Sequence, residues 1–274
     1  MIIGHMQLLL LILMTGLVAY RFTLGMEADE LRLRPDIGIW QTNGRKEIQA
    51  DIAYAATGSA GTMAVLADGI GRENTGKVCA QLAVDSVFDQ FEPYRTLDNM
   101  EYFFKSAFAE ANSRIRKTIG DRKGGCSLAA VYMNQTHLYY AVAGNIRIAL
   151  VRNKEIIPLS RGHTLDVLAV QAYQDGRISR QEAVWSMDEK RIWNHLGREG
   201  FHEIEICERP IRIKTGDRVL MISKGIFEEV SWGELEDMMQ DTEAAAATAR
   251  RMVQAAENKA NPDMDNGSVL LLRV

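Results

Sequence analysis

The chain has 274 residues, of which 47% are hydrophobic and 25% are charged, and its formal net charge at pH 7 is −4. This length is enough for one large globular domain. The negative net charge gives no sign of the basic surface that nucleic-acid binding requires, so we expect no nucleic acid among its partners. The three cysteines, Cys79, Cys126 and Cys207, are far apart and form no CxxC pair. They suggest neither a zinc site nor a disulfide framework, and buried thiols in a reducing compartment are expected.

The N-terminal segment is strongly apolar. Residues 1–20 contain His5 and Gln7 as their only strongly polar side chains. Twenty helical residues span roughly 30 Å, the thickness of the hydrocarbon core of a bilayer, so residues 1–25 are predicted to form an uncleaved transmembrane anchor. A cleaved signal peptide is the alternative, but the segment lacks a basic start and a small-x-small cleavage site.

The orientation of this anchor follows from its flanking charges. The nearest basic residues all follow the span: Arg21, Arg32 and Arg34. The positive-inside rule therefore predicts a single-pass membrane protein whose remaining chain lies in the cytoplasm. Residues 26–35 are charged and contain Pro35, which predicts a linker before a domain over residues 36–274.

The stretch from 65 to 85 runs from a strand through a glycine turn into a helix. Residues 65–67 end a buried strand, Asp68 follows at the strand end, and Gly69 and Gly71 permit a sharp turn. Apolar residues then recur at helical spacing through residue 91, which predicts a helix packed on its strand. On spacing alone, this junction fits a phosphate loop, a metal site or a plain turn.

Further elements alternate in a pattern typical of an α+β domain. Runs of β-branched and apolar residues predict strands at 37–40, 128–133, 138–142, 146–151, 211–213, 219–222 and 269–272. An apolar stripe predicts a core helix over residues 97–118. The alanine-rich residues 241–260 predict a terminal helix with Asp241 as its N-cap and with Arg250 and Arg251 on a solvated face. His163, in a loop, is interpreted as a structural hydrogen-bonding residue, with a catalytic role as the alternative.

The junction motif, Asp68-Gly69-Ile70-Gly71, resembles the Asp-Gly-x-Gly-Gly signature of the metal-dependent Ser/Thr protein phosphatases, the PPM or type-2C family, and Arg72 departs from it. Later blocks resemble that family in the same order: residues 125–128, 138–164, 175–183, 193–200, 215–225 and 264–274. The resemblance covers residues 36–274. It implies an α+β fold, the PPM-type four-layer α-β-β-α sandwich of two antiparallel sheets flanked by helices, here preceded by one transmembrane helix.

The resemblance also implies a two-metal site. Members of the family hold two Mn²⁺ or Mg²⁺ ions with carboxylates, and these ions activate water for attack on phosphoserine or phosphothreonine. The family motif Arg-x-x-x-Glu-Asp aligns with residues 45–50, so Arg45 is the candidate phosphate contact, whereas Gln49 and Ala50 replace two acidic ligands. Asp68, the Gly69 carbonyl and Asp265 remain as residual metal-site positions.

A third ligand position carries the opposite charge. The family's Ser-Asp-Gly motif reads Ser223-Lys224-Gly225, and Gly144-Asn145-Ile146 replaces Gly-Asp-Ser. The five aligned acidic positions of the family carry −5. Here Gln49, Ala50, Asp68, Lys224 and Asp265 carry −2 + 1 = −1. A shift of one residue would let Asp51 replace the missing aspartate, and Lys224 would either neutralise the remaining acids or extend into solvent.

These departures lead to a functional expectation with alternatives. We expect a membrane-anchored pseudophosphatase that binds a phosphoprotein or another protein partner, with no metal cofactor. The alternative is a weakly active Mn- or Mg-dependent phosphoserine/phosphothreonine protein phosphatase that uses Asp68, Asp265 and Asp51. A third possibility is a structural component of a membrane complex with its binding face elsewhere.

Overall fold

The protein was analysed as a computed structural model that describes residues 13–21, 34–91, 99–241 and 243–274. The strands are β1 (Asp36–Thr42), β2 (Ile52–Gly58), β3 (Gly61–Gly71), β4 (Gly124–Met133), β5 (His137–Ala143), β6 (Arg147–Arg152), β7 (Glu155–Pro158), β8 (Glu205–Ile206), β9 (Ile211–Arg212), β10 (Arg218–Ile222) and β11 (Gly267–Arg273). The helices are α1 (residues 13–21), α2 (Thr75–Phe88), α3 (Met100–Ile119), α4 (Leu165–Gln174), α5 (Arg180–Trp185), α6 (Lys224–Phe227), α7 (Trp232–Met238) and α8 (Ala245–Asn258).

The strands form two antiparallel sheets. The first sheet has the order β1-β11-β10-β6-β7, and the second has the order β2-β3-β4-β5-β8, with β9 also paired to β5. β1 pairs with β11 from Asp36 opposite Arg273 to Thr42 opposite Gly267. β3 pairs with β4 through Asp68 opposite Ser127, which places the Asp-Gly motif inside the second sheet rather than in a free loop.

Three apolar layers hold the sheets and helices together. Leu66, Val131 and Leu270 belong to the cluster between the two sheets. The outer face of the second sheet packs against α2 and α3, and the outer face of the first packs against α6, α7 and α8. Each sheet is therefore buried on both faces, which explains why its central strands are almost continuously apolar. The expected sandwich of two antiparallel sheets flanked by helices is confirmed.

The start of α8 corrects one expectation. The helix begins at Ala245 after the N-cap residue Ala244, which makes no side-chain cap, so the prediction of Asp241 as N-cap is wrong. Instead, the Asp36 carboxylate on β1 accepts a hydrogen bond of 2.7 Å from the Ala245 backbone N–H. Arg250 is exposed as predicted, with its guanidinium over the Trp40 ring, whereas Arg251 is half-buried and pairs with Asp241 and Glu243.

The N-terminal region is described only over residues 13–21, which are helical and exposed. Among the described residues, no helix combines the length and apolar character needed to cross a bilayer. Residues 1–12 and 22–33 lie outside the described ranges. The anchor over residues 1–25, the linker over residues 26–35 and the domain boundary therefore remain predictions.

Candidate functional site

A cleft of about 1170 Å³ opens where strands of both sheets end. Its walls come from the segment after β1, the end of β3, the start of α6, the segment before β11, and residues 188–195. The lining includes five residues that the sequence analysis singled out: Ala50, Asp68, Gly69, Lys224 and Asp265. Residues more than 200 positions apart in the chain thus meet at one edge of the sandwich.

Asp68 lies at the floor of this cleft. Burial is the main cause that raises the pKa of its carboxyl well above the ordinary value, and the nearby charges of Asp51 and Asp265 raise the pKa further. The Lys224 ammonium and a hydrogen bond from the Lys224 backbone N–H act in the opposite direction. Asp68 is therefore an acid whose ionisation depends on the cation beside it.

Gly69 follows Asp68 in a place that has no room for a side chain. A Cβ atom on Gly69 would overlap the carbonyl oxygen of Gly76 and lie 2.7 Å from that of Ala50. The Asp-Gly end of β3 is therefore pressed between the first turn of α2 and the segment that follows β1. This close approach of backbones explains the glycine without a metal-binding role.

Lys224 lines the cleft and contacts two carboxylates. Its Nζ lies 3.3 Å from Asp265 Oδ2 and 3.7 Å from Glu228 Oε2. Burial alone would lower the pKa of Lys224, but the charges of Glu228 and Asp265 raise it above its ordinary value, so the side chain stays an ammonium. This placement agrees with the expectation that Lys224 neutralises remaining acids rather than extending into solvent.

Gln49 and Ala50, the two degenerate positions of the first motif, differ in their surroundings. The Gln49 side chain donates to the Thr42 carbonyl at 2.8 Å and accepts from the Asp51 N–H at 3.0 Å, so it braces the backbone and does not line the cleft. Ala50 lines the cleft but offers no side-chain donor or acceptor. Its N–H donates to the Asn266 side chain at 3.0 Å, which ties this segment to the start of β11.

Asp51, the alternative to the missing ligand, lies beneath the cleft and outside its lining. Its side chain is 1% exposed and accepts hydrogen bonds of 2.7 Å from the hydroxyls of Ser223 and Ser268. Its Oδ1 atom is buried without a hydrogen-bond partner. Burial raises the pKa of Asp51 to about 6 despite the two serine hydrogen bonds. Asp51 is thus a buried bridge between the sheets, and Asp51 is absent from the cleft lining.

Arg45, the candidate phosphate contact, is placed outside the cleft. Its Nε donates to the Asn261 carbonyl at 3.3 Å on an exposed surface. The next residue, Lys46, lines the cleft instead, and its Nζ lies 3.7 Å from Asp265 Oδ1. The sequence analysis missed Lys46 because the alignment with the family motif singles out only the arginine of this segment.

His163 has a structural role. The side chain is 5% exposed, and its Nδ1 accepts a hydrogen bond of 3.0 Å from the Gly144 backbone N–H. Its ring meets the Trp193 ring edge-on. Burial, assisted by the Arg161 charge, lowers the pKa of His163 to about 4, so the imidazole is neutral at pH 7. His163 is absent from the cleft lining. The structure therefore favours the interpretation of His163 as a structural residue over a catalytic role.

The donor set of the cleft does not fit a pair of divalent ions. Mn²⁺ and Mg²⁺ require several oxygen ligands, and each site is stabilised by the negative charge of those ligands. In the described ranges, no three His, Cys, Asp or Glu side chains are grouped so that they could hold one metal ion. Two carboxylates, Asp68 and Asp265, remain from the family's set, and an ammonium contacts one of them.

The fold is a two-sheet sandwich with a cleft at the edge of both sheets. Comparisons with known proteins show that protein phosphatases share this fold. The family model for protein phosphatase 2C matches residues 49–168. Protein phosphatase PhpP of Streptococcus pneumoniae is 24% identical over 248 residues, which cover 89% of this chain and 96% of PhpP. Over residues 49–168 the chain matches the protein phosphatase 2C family, in agreement with the resemblance seen in the sequence.

Solved structures support the fold. The serine/threonine phosphatase of S. agalactiae superposes with a TM-score of 0.76 at 19% identity, over 88% of this chain and 99% of that one. The catalytic domain of the phosphatase PstP in complex with two manganese ions superposes with a TM-score of 0.68 at 22% identity, over 87% and 97% of the two chains. Phosphatases of this family depend on Mn²⁺ or Mg²⁺. The names of these proteins favour the phosphatase alternative over the pseudophosphatase expectation, whereas the donor set of the cleft does not.

Proposed function

We propose that this chain is a phosphatase-fold protein whose cleft binds a phosphoserine- or phosphothreonine-containing protein and does not hydrolyse it. One observation carries the proposal: the Lys224 ammonium contacts Asp265, in a cleft where Asp68 and Asp265 are the two acids left from the family's set. Water activation in this family requires metal ions, and a cation in their place opposes their binding. The fold would then serve recognition.

Lys46 is the proposed phosphate contact in place of Arg45. Its side chain is 51% exposed and lines the cleft, so an incoming phosphate can reach the ammonium without displacing protein atoms. A lysine binds phosphate as a point charge and needs no fixed bidentate geometry. The contact between Lys46 and Asp265 is long, at 3.7 Å, and a phosphate oxygen would compete with it.

The test measures hydrolysis and binding with the full-length chain. We expect no turnover of a phosphothreonine peptide above that of Asp68→Asn at any Mn²⁺ concentration. We also expect Lys46→Met to weaken binding of the same peptide, whereas Lys105→Met, which removes an exposed charge paired with Glu101 on α3, leaves binding unchanged. Equal peptide binding by the parent and Lys46→Met would contradict the recognition role.

The second candidate is a Mn- or Mg-dependent phosphoserine/phosphothreonine protein phosphatase. The names of the relatives favour it, and the retained Asp68, Gly69 and Asp265 all line one cleft. Manganese-dependent turnover that disappears in Asp68→Asn would establish this function and exclude the first proposal. The same assay therefore decides between the two.

We further propose that residues 1–25 anchor the chain in a membrane with the domain in the cytoplasm. The support comes from the apolar sequence of residues 1–20 and from the arginines that follow it. Protease added to intact cells should leave the domain intact and should digest it after the cells are opened. Digestion from outside would reverse the proposed orientation.

A further inference from the structure

The position of Lys224 is fixed by the backbone on both sides. The Ser223 N–H donates to the Ser268 carbonyl at 3.1 Å, and the Gly225 N–H donates to the Asn266 carbonyl at 3.2 Å. A Cβ atom on Gly225 would lie 2.5 Å from the Asp265 carbonyl oxygen, so the two backbones are in direct contact. The Lys224 Cα is thereby held beside Asp265.

The side chain of Lys224 ends between carboxylates. Its Nζ contacts Asp265 at 3.3 Å and Glu228, one helical turn later, at 3.7 Å. The side chain is 37% exposed, so the ammonium is neither sealed from water nor extended freely into it. The alternative in which Lys224 simply points into solvent does not describe these contacts.

Without Lys224, the negative charges of the neighbouring carboxylates would not be neutralised. Asp68, Lys224 and Asp265 line the same cleft, and the Lys224 ammonium contacts Asp265 directly. Two carboxylates in one cleft are stabilised by a cation near them, and the resemblance to the family assigns these two positions to metal binding. We infer that Lys224 is the resident cation of the cleft: its ammonium neutralises the Asp68–Asp265 pair in the place of a metal ion and excludes divalent ions.

The exclusion has a simple electrostatic cause. An ion that coordinates Asp265 would approach the Lys224 ammonium, which contacts the same carboxylate, and like charges at that distance repel strongly even when water screens them in part. The ion would also have to break the contact between Lys224 and Asp265. Removing the ammonium while keeping a side chain of similar length should therefore allow a divalent ion to bind.

The experiment measures Mn²⁺ binding to the full-length chain by calorimetry. We expect Lys224→Met to bind Mn²⁺ at least about tenfold more tightly than the parent chain. This gain is smaller than the unscreened repulsion between the two cations would give, because water screens part of that repulsion. The matched control is Lys190→Met, because Lys190 also lines the cleft but pairs with Asp166. The same net charge is removed, and we expect its Mn²⁺ affinity to stay within about twofold of the parent.

Two results would overturn the inference. One is a Lys224→Met chain that melts cooperatively and binds Mn²⁺ no more tightly than the parent, and the other is an equal gain in Lys190→Met. Should Lys224→Met fail to fold, Lys224→Gln provides the same comparison with a polar neutral side chain. Because hydrolysis is not measured here, a parent chain that proves to be an active phosphatase would overturn the proposed function, whereas this comparison alone decides the role of Lys224.

Discussion

Gly69 is the residue at which the end of β3 touches two other backbones. Replacing it with alanine places a Cβ atom 2.7 Å from the Ala50 carbonyl oxygen and closer still to that of Gly76. Backbone atoms cannot rotate away as side chains do, so Gly69→Ala should lower the free energy of unfolding by about 2 kcal/mol or more, measured by urea denaturation. The control is Gly233→Ala in α7, where a Cβ would meet no atom within 4 Å. A Gly69→Ala chain as stable as that control would contradict the close packing.

His163 makes stability depend on pH. Its pKa is about 4 in the folded chain, below its ordinary value of 6.5, so the unfolded chain binds more protons between these values. The stability from neutral His163 is therefore complete above pH 6.5 and is lost as the pH falls toward 4, a change on the order of 3 kcal/mol. Measuring the free energy of unfolding from pH 7.5 to 4 should reveal this loss.

The matched variant for this prediction is His163→Gln, which keeps a hydrogen-bond acceptor for the Gly144 N–H but does not titrate. Its stability should be lower at pH 7 and should fall less steeply between pH 6.5 and 4. Asp51, whose raised pKa of about 6 makes stability increase as the pH falls, is present in both chains, so its contribution cancels in the difference. Parallel curves for the two chains would contradict the low pKa of His163.

At the scale of elements, the first residue of one sheet caps the last helix. The Asp36 carboxylate accepts the Ala245 N–H at 2.7 Å, and the helix has no side-chain cap of its own. Asp36→Ala should therefore lower the free energy of unfolding by about 1 kcal/mol, because the first turn of α8 loses an acceptor. Thermal denaturation measures the change. Asp36→Asn retains an acceptor and should lose less, and equal losses in both variants would show that the hydrogen bond is not the cause.

This cap also explains one failure of sequence reasoning. Asp241 precedes the alanine-rich stretch and has a residue type typical of N-caps. The acceptor comes instead from Asp36, more than 200 residues earlier in the chain. A local pattern cannot report an acceptor that arrives from another element, although it did predict the helix itself from the composition of residues 241–260.

At the scale of the whole molecule, the cleft should become a metal site when its acids are restored. Ala50 and Lys224 both line the cleft, so Ala50→Asp combined with Lys224→Asp adds two carboxylates to the cleft that holds Asp68 and Asp265. Mn²⁺ at one hundred times its dissociation constant should stabilise this double variant by roughly 2.7 kcal/mol. The melting temperature should rise accordingly. The parent chain should show no such rise.

Gln49→Glu is the matched control for this experiment, because residue 49 is a degenerate metal-site position outside the cleft lining. The Gln49 side chain holds the Thr42 carbonyl and the Asp51 N–H and is absent from the cleft lining, so Gln49→Glu should lower stability without adding metal affinity. A further rise in Mn²⁺ affinity on adding Gln49→Glu to the double variant would place residue 49 in the ligand set after all. A double variant that melts at one temperature with and without Mn²⁺ would contradict the restored site.

Much of the fold was predictable because its signals are local. The continuous apolar runs of β4, β5, β6, β10 and β11 and the helically spaced apolar stripe of α3 each lie within a single element. The order of the weak motifs then led to the family and, with it, to the two-sheet sandwich. The short strand β8, of two residues, carries too little pattern to be predicted, whereas β9 coincides with the run predicted at 211–213.

The candidate site was predictable only in its residue types. From the sequence alone, the alignment identified the lost acids at Gln49 and Ala50 and the lysine at position 224. The sequence could not decide that Arg45 turns outward while Lys46 enters the cleft, or that Asp51 bonds Ser223 and Ser268 beneath it. The physical reason is that the direction of a side chain depends on the packing of both sheet edges, which brings together residues from opposite ends of the chain and determines which charges face one another.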